Sequence, residues 1–310
     1  MRIVFMGTPQ FAVESLNAIF QSKHEIVGVV TSTDKPAGRG RKIQQSEVKK
    51  YAVINNIRLF QPEKLKDEKL IEGLKKLNAD LFIVVAFRML PKIIWEIPNK
   101  GTVNLHGSIL PNYRGAAPIN WAIINGEKES GVTTFFINDK IDTGDVLLIE
   151  KTIIKDGQTA GELHDKLMEI GSKLLIQTIS NLDSGILESK KQLIAESQKK
   201  APKLNRKNTK INWSKDDFSI RQFILGLNPY PGAWTLISNN GRQLNFKIFK
   251  VKISNIKTSE KIISVQENKV YIGTSTNALE LVEIQLEGKK KMHANEFIKG
   301  NKNIDQFIIL

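Results

Sequence analysis

There is no cysteine in this chain. That absence excludes a disulfide framework, a thiolate nucleophile and any cysteine-ligated metal. Long hydrophobic runs are missing too. Mean hydropathy is −0.23, and no stretch approaches the roughly 20 apolar residues that a membrane-spanning helix needs. The opening MRIVFMGTPQ carries a short apolar run ending in a turn, without the long apolar region and small-residue cleavage site of a secretory signal. A cytoplasmic location is the expectation. Histidine is scarce, with four residues, and no metal-ligand spacing stands out, so no metal is expected. Acidic residues are in deficit: 46 Lys and Arg against 32 Asp and Glu leave a net charge of +14.

What remains is an ordinary soluble composition, 41% hydrophobic and 25% charged over 310 residues, enough for about two domains with proper cores. A basic excess of this size suits a polyanionic partner; a lysine-biased proteome would produce it as well. The distribution separates the two better than the total. Residues 200–310 hold 19 basic and 9 acidic residues, a net of +10, which leaves +4 for residues 1–199.

Apolar runs rich in strand formers occur at Arg2 to Met6, Glu25 to Thr31, Leu81 to Ala86 and Thr102 to His106. A helical pattern follows the first, from Phe11 to Phe20, and another spans Thr159 to Leu182. Strands alternating with helices read as βα units on a parallel, doubly wound sheet over residues 1 to about 185. Residues 189–209 are polar and lysine-rich, as a linker is. Beyond it come a helical pattern up to Leu227, a break at Asn228-Pro229-Tyr230-Pro231-Gly232, and short alternating runs from Ala233 to Leu286. These last suggest a small barrel or sandwich.

Two stretches carry chemistry. In VNLHGSILPNYRGAAPINW (103–121), Asn104 and His106 lie two apart near a strand's end, so their side chains share a face. Reacting groups gather beyond the carboxyl ends of such strands. There an asparagine amide can donate to a developing oxyanion, and a histidine can donate or move a proton near neutral pH. An isolated histidine more often only completes a strand end, and His24, His164 and His293 read that way. The second stretch, Ile141-Asp142-Thr143-Gly144-Asp145, is either a plain turn or the source of a carboxylate that orients His106 and takes a proton. Spacing does not choose between its two aspartates.

Asn104-x-His106, SILP at 108–111 and IDTGD at 141–145 together resemble the catalytic signature of the folate-dependent formyltransferases. The resemblance selects Asp142 over Asp145. It implies an α/β fold: a Rossmann-like N-terminal catalytic domain over 1–188, a linker over 189–209, and a small C-terminal OB-like β-barrel domain over 210–310. It implies 10-formyltetrahydrofolate as formyl donor, bound near Phe87, Arg88, Leu90, Ser108, Ile109, Leu110 and Pro111, and a monomer without metal. GTPQFA at 7–12 is not a dinucleotide-binding glycine loop. With YRGAAPINWAI at 113–123, APKL at 201–204, NPYPGAW at 228–234 and EGKKKM at 287–292, it resembles the branch of the family that acts on charged tRNA. The implied acceptor is the amino group of methionyl-initiator tRNA.

The loop 34–42 looks like that branch's contact with the acceptor end, through Lys35, Arg39, Arg41 and Lys42. Lys203, Arg206, Lys207, Lys289, Lys290 and Lys291 are further phosphate-contact candidates by charge. One departure stands out. After the strand at 81–86 the family has an aromatic and then a small residue, whereas here Phe87 is followed by Arg88, a large side chain that either touches folate or points outward. A formyltransferase for a small amine would leave the loop 34–42 and residues 200–310 without a task. An inactive RNA-binding protein would not need the complete Asn104, His106 and Asp142 set.

Overall fold

The computed structural model describes residues 1–37, 42–193, 198–239, 241–301 and 304–310, with backbone alone at 37 and 42. They form two compact units. The first gathers Met1–Gly115, Ser130–Thr152 and His164–Lys200; the second gathers Ala116–Glu129, Ile153–Leu163 and Ala201–Leu310. Two segments inside the first 188 residues therefore cluster with C-terminal residues, an arrangement that a linear reading of composition does not reveal.

In the first unit, β1 (Arg2–Gly7), β2 (Glu25–Val30), β3 (Leu59–Phe60), β4 (Leu81–Val85), β5 (Thr102–His106), β6 (Glu129–Phe136) and β7 (Val146–Ile153) make one sheet, in the order β7-β6-β5-β4-β1-β2-β3. Pairing is parallel between β1 and β2, β1 and β4, β2 and β3, and β4 and β5. This is a Rossmann-like parallel core. β4, LFIVV, is buried along its whole length, as a parallel strand covered on both faces must be. The chain builds outward from β1 to β3 and then returns to the other side of β1, so the strand order reverses between β1 and β4, where open α/β sheets place ligands. The expectation of a parallel sheet throughout needs one correction: β6 runs antiparallel to β5. The edge strand β7 is largely exposed, so it carries polar residues that no buried central strand would tolerate.

Two eight-residue helices, Glu47–Ile54 and Glu68–Lys75, were not apparent from sequence, being short and lysine-rich. Their starts are set by caps: Ser46 accepts from the Lys49 N–H, and Asp67 accepts from the Lys69 N–H. The second buries Leu70, Ile71 and Leu74 with Val4, Phe82 and Val84. Each such side chain contributes about 1.5–3 kcal/mol on full burial.

The second unit contains β8 (Ala233–Asn239), β9 (Arg242–Ile253), β10 (Ile263–Gln266), β11 (Lys269–Gly273), β12 (Ala278–Leu286) and β13 (Ile308–Ile309), ordered β10-β11-β12-β9-β8-β13 with antiparallel pairing. The register between β9 and β12 shifts around Ile248 to Val251. Such bulges bend a strand and raise its twist, and the sheet curls around Trp213, Phe246, Phe297 and Phe307. The helix Asp217–Gly226 is started by Asp216, which accepts from the Ser219 backbone N–H at 2.8 Å and from its hydroxyl at 2.6 Å. Those bonds, the hydroxyl first, hold the Asp216 carboxyl below its ordinary pKa. Its contribution is therefore present above the unfolded carboxylate pKa and lost as pH falls through the lower folded value. Asp216→Ala is expected to cost about 1 kcal/mol in denaturant melts near neutral pH, and less in acid.

Candidate active site

The site starts from β5. Its alternation puts Asn104 and His106 on one face at the carboxyl end. The Asn104 backbone is held between Val84 and Phe135 by strand pairing. Its side-chain amide is half-buried and makes no hydrogen bond among the described residues. His106 is 6% exposed, with the Phe135 ring edge-on at 6.5 Å. Its Nε2 lies 2.9 Å from the Tyr113 carbonyl oxygen. A carbonyl only accepts, so Nε2 carries the proton and donates. The other nitrogen, Nδ1, is 3.8 Å from Asp142 Oδ2. Tyr113 sits at φ 61°, the left-handed region that a bulky residue rarely adopts, and in that conformation its carbonyl reaches the histidine.

The loop between them is pinned from β6. Thr133 Oγ1 donates to the Ser108 carbonyl at 2.7 Å and accepts from the Leu110 N–H at 3.2 Å. Ser108 Oγ closes the loop by donating to the Asn112 carbonyl at 2.7 Å. Ser108 and Leu110 are buried, while Ile109 and Pro111 are half-buried.

Asp142 lies on the connection between β6 and β7, at φ 54°, which aspartate tolerates better than most residues. Its Oδ2 accepts from the Gly115 N–H at 2.9 Å. Its main chain is held by Gln192, whose Nε2 donates to the Asp142 carbonyl at 3.0 Å and to the Gly144 carbonyl at 2.7 Å. Gln192 Oε1 in turn accepts from Arg114 Nε at 3.2 Å and Nη2 at 2.6 Å. Arg114, Gln192 and the Asp142 loop thus form a strut. Sequence reasoning missed Tyr113, Thr133 and Gln192. A lone glutamine in a lysine-rich linker gives no signal, because its importance lies in two carbonyls about 50 residues away.

The other expected site residues spread more widely. Phe87 is half-buried. Arg88 turns to the carbonyls of Pro62 and Glu63 and lies 5.6 Å from the Phe87 ring centroid; burial lowers its pKa. Leu90 is 5% exposed and packs in the core with Ile94 and Val84. Lys35 is exposed on a small hairpin, Lys35–Ala37 with Lys42–Gln44. Arg39 and Arg41 lie outside the described residues, as does the Lys42 side chain. In the second unit, Lys203, Arg206, Lys207, Lys289 and Lys290 are exposed. Lys291 is exposed as well but pairs with Glu283 at 2.5 Å and lies 4.9 Å from the Phe249 ring centroid. Among the described residues no three His, Asp or Glu side chains gather as a metal site, and no helix is long and apolar enough to cross a membrane.

This geometry can be set beside known proteins. Residues 1–179 match the family described as Formyl transferase, and residues 203–302 match Formyl transferase, C-terminal domain. The chain is 48% identical to the methionyl-tRNA formyltransferase of Flavobacterium johnsoniae, covering 97% of this chain and 96% of that one. It is 43% identical to the methionyl-tRNA formyltransferase of Bacteroides fragilis, covering 97% and 95%. Among solved structures it is similar in fold to the sugar 3N-formyl transferase WlaRD, determined in the presence of dTDP and 5-N-formyl-THF. That match has a TM-score of 0.66 and 24% identity, and covers 94% of this chain and 99% of that one.

Proposed function

We propose a substrate and a mechanism for this chain, which belongs to the formyl transferase family: it moves the formyl group of 10-formyltetrahydrofolate onto the amino group of methionine carried by initiator tRNA. The reading rests above all on Asp142 Oδ2 standing 3.8 Å from His106 Nδ1, with His106 on the strand that also carries Asn104, in a chain whose relatives are named for that reaction.

Formyl transfer is acyl transfer to an amine. The amine nitrogen bonds to the formyl carbon, charge collects on the formyl oxygen, and the bond from that carbon to the folate nitrogen breaks as the nitrogen takes up a proton. Asn104 donates its amide N–H to the oxygen. His106 works through Nδ1, because its Nε2–H is already given to the Tyr113 carbonyl. A proton gathered there from the amine turns Nδ1 into a second donor, with the Asp142 carboxylate beside the resulting cation. Tyr113 and Gly115 hold the two partners in place, which is how positioning lowers such a barrier.

The pinned loop at Ser108, Ile109, Leu110 and Pro111, with Phe87, holds the folate. Arg88, bonded to two carbonyls, shapes the wall through the 62–63 segment, and Leu90 supports it from the core. The chain works as a monomer in the cytoplasm, with its catalytic portion over 1–188, the linker over 189–209 and the remainder as the tRNA-binding portion. The curled antiparallel sheet of the second unit is the OB-like module. Lys203, Arg206, Lys207, Lys289, Lys290 and Lys291, with the loop from Lys35 to Lys42, meet phosphates. Raising salt from about 50 to 200 mM is therefore expected to weaken tRNA binding by roughly 100-fold or more.

The direct test supplies purified protein with 10-formyltetrahydrofolate and either methionyl-initiator tRNA or a nucleotide-linked amino sugar. Turnover with the tRNA and little with the sugar supports the reading; transfer to the sugar alone overturns the acceptor while keeping the chemistry. Gln192→Ala frees the Asp142 and Gly144 carbonyls and is expected to lower kcat about tenfold, with KM for tRNA unchanged. A purely structural Gln192 would lower the melting temperature instead and leave kcat alone.

A further inference from the structure

In the second unit, a cavity of about 500 Å³ opens between residues 203–209, the break at 230–232, and strands β8 and β9. That volume falls within the roughly 300–1,000 Å³ of sites for small ligands. Lys203, Arg206 and Lys247 line it, and among the described residues no aspartate or glutamate does. Its shape is braced. The Trp234 indole N–H donates to the Arg206 carbonyl at 3.1 Å, and the Arg206 guanidinium lies 4.5 Å from the centroid of the Trp234 ring. Lys247 Nζ donates to the Pro231 carbonyl at 2.7 Å. Two side-chain groups at the cavity make no hydrogen bond among the described residues. Tyr230 is 82% exposed, and its hydroxyl makes no hydrogen bond among the described residues. Asn245 lends its backbone N–H to Glu287, but its side-chain amide is likewise unused.

A bare aromatic face, an unspent amide and three cations without a carboxylate match the parts of a nucleotide: a flat base, its polar edge and its phosphate. We propose that this cavity takes one unpaired nucleotide of an RNA strand, with the base stacked on Tyr230, its edge read by Asn245, and the phosphate between Lys203 and Arg206. A base inside a duplex keeps both faces covered, so only a single-stranded segment can offer its face. The inference rests on the reading that the substrate is a tRNA and adds a place where an unpaired nucleotide of that tRNA sits.

The test is binding of fluorescently labelled octaadenylate to the full chain by anisotropy, with the same sequence as a duplex and AMP as comparisons. Tyr230→Ala is expected to weaken octaadenylate binding by about 5- to 100-fold, the range for losing one base stack. Tyr230→Phe keeps the ring and is expected to bind like wild type. Lys203→Ala is expected to flatten the salt dependence by about one phosphate contact. In the tRNA formylation assay, Tyr230→Ala is expected to raise KM for tRNA without lowering kcat. Equal binding by wild type and Tyr230→Ala overturns the proposal, as does tighter binding of the duplex. Displacement of the oligonucleotide by equimolar AMP also overturns it, since the cavity would then serve a free nucleotide. Octaadenylate binding needs neither folate nor turnover, so failure here is distinct from failure of formyl transfer to tRNA.

Discussion

Replacing Asn104 with alanine is expected to lower kcat by about 100- to 1,000-fold while the melting temperature stays within a degree or two of wild type. Removing one preorganised oxyanion donor costs about this much in acyl transfer, because the lost bond is strongest when charge has developed. Stability is spared because the Asn104 backbone bonds run to neighbouring strands and survive the change, and its side chain makes no hydrogen bond among the described residues. The His106→Ala variant should match the loss in kcat. The double variant should lose far less than the product of the two, since both donors serve one oxygen. Steady-state rates of tRNA formylation beside thermal melts decide the matter. An Asn104→Ala enzyme with wild-type kcat would remove Asn104 from the reaction, and one that melts far lower would make it a structural residue.

The second large effect is expected at Gly144. A Cβ placed there would stand 1.6 Å from the Phe136 carbonyl oxygen, far inside contact distance. That oxygen belongs to the end of β6, where the Phe136 N–H is bonded to the Asp145 carbonyl at 2.9 Å, so neither side yields cheaply. Gly144→Ala should push the 141–145 loop off β6, break the Gln192 bond to the Gly144 carbonyl and carry Asp142 away from His106. We expect a loss of roughly 3 kcal/mol or more, in the upper part of what single substitutions do, together with a fall in kcat of about 100-fold. Both are read from one preparation by denaturant melts and by the formylation assay. A variant that melts normally and turns over normally would show that the loop accommodates a side chain and does not fix Asp142.

Much of this protein could be read before any coordinates. Leu81–Val85 and Thr102–His106 are short apolar runs whose type and length name them as strands, and β8 to β12 follow the alternating runs within a residue or two. A spacing of two on a strand put Asn104 and His106 on one face by geometry alone. The helices at Glu47–Ile54 and Glu68–Lys75 escaped because eight residues give barely two turns of periodicity, and their lysines blur the apolar stripe.

The sequence by itself determined the local elements, the basic excess of its last third and the pair at the end of β5, because each depends on neighbours within a few residues. Spacing left Asp142 and Asp145 both open and only the resemblance pointed to Asp142; the tertiary structure is what stands its carboxylate beside His106, across 36 residues of chain. It also decided that Gln192 braces the Asp142 loop, that residues 116–129 and 153–163 join the second unit, and that Tyr230, Asn245 and Lys203 share one cavity. These facts depend on where the chain crosses itself, and periodicity and composition carry no record of such crossings.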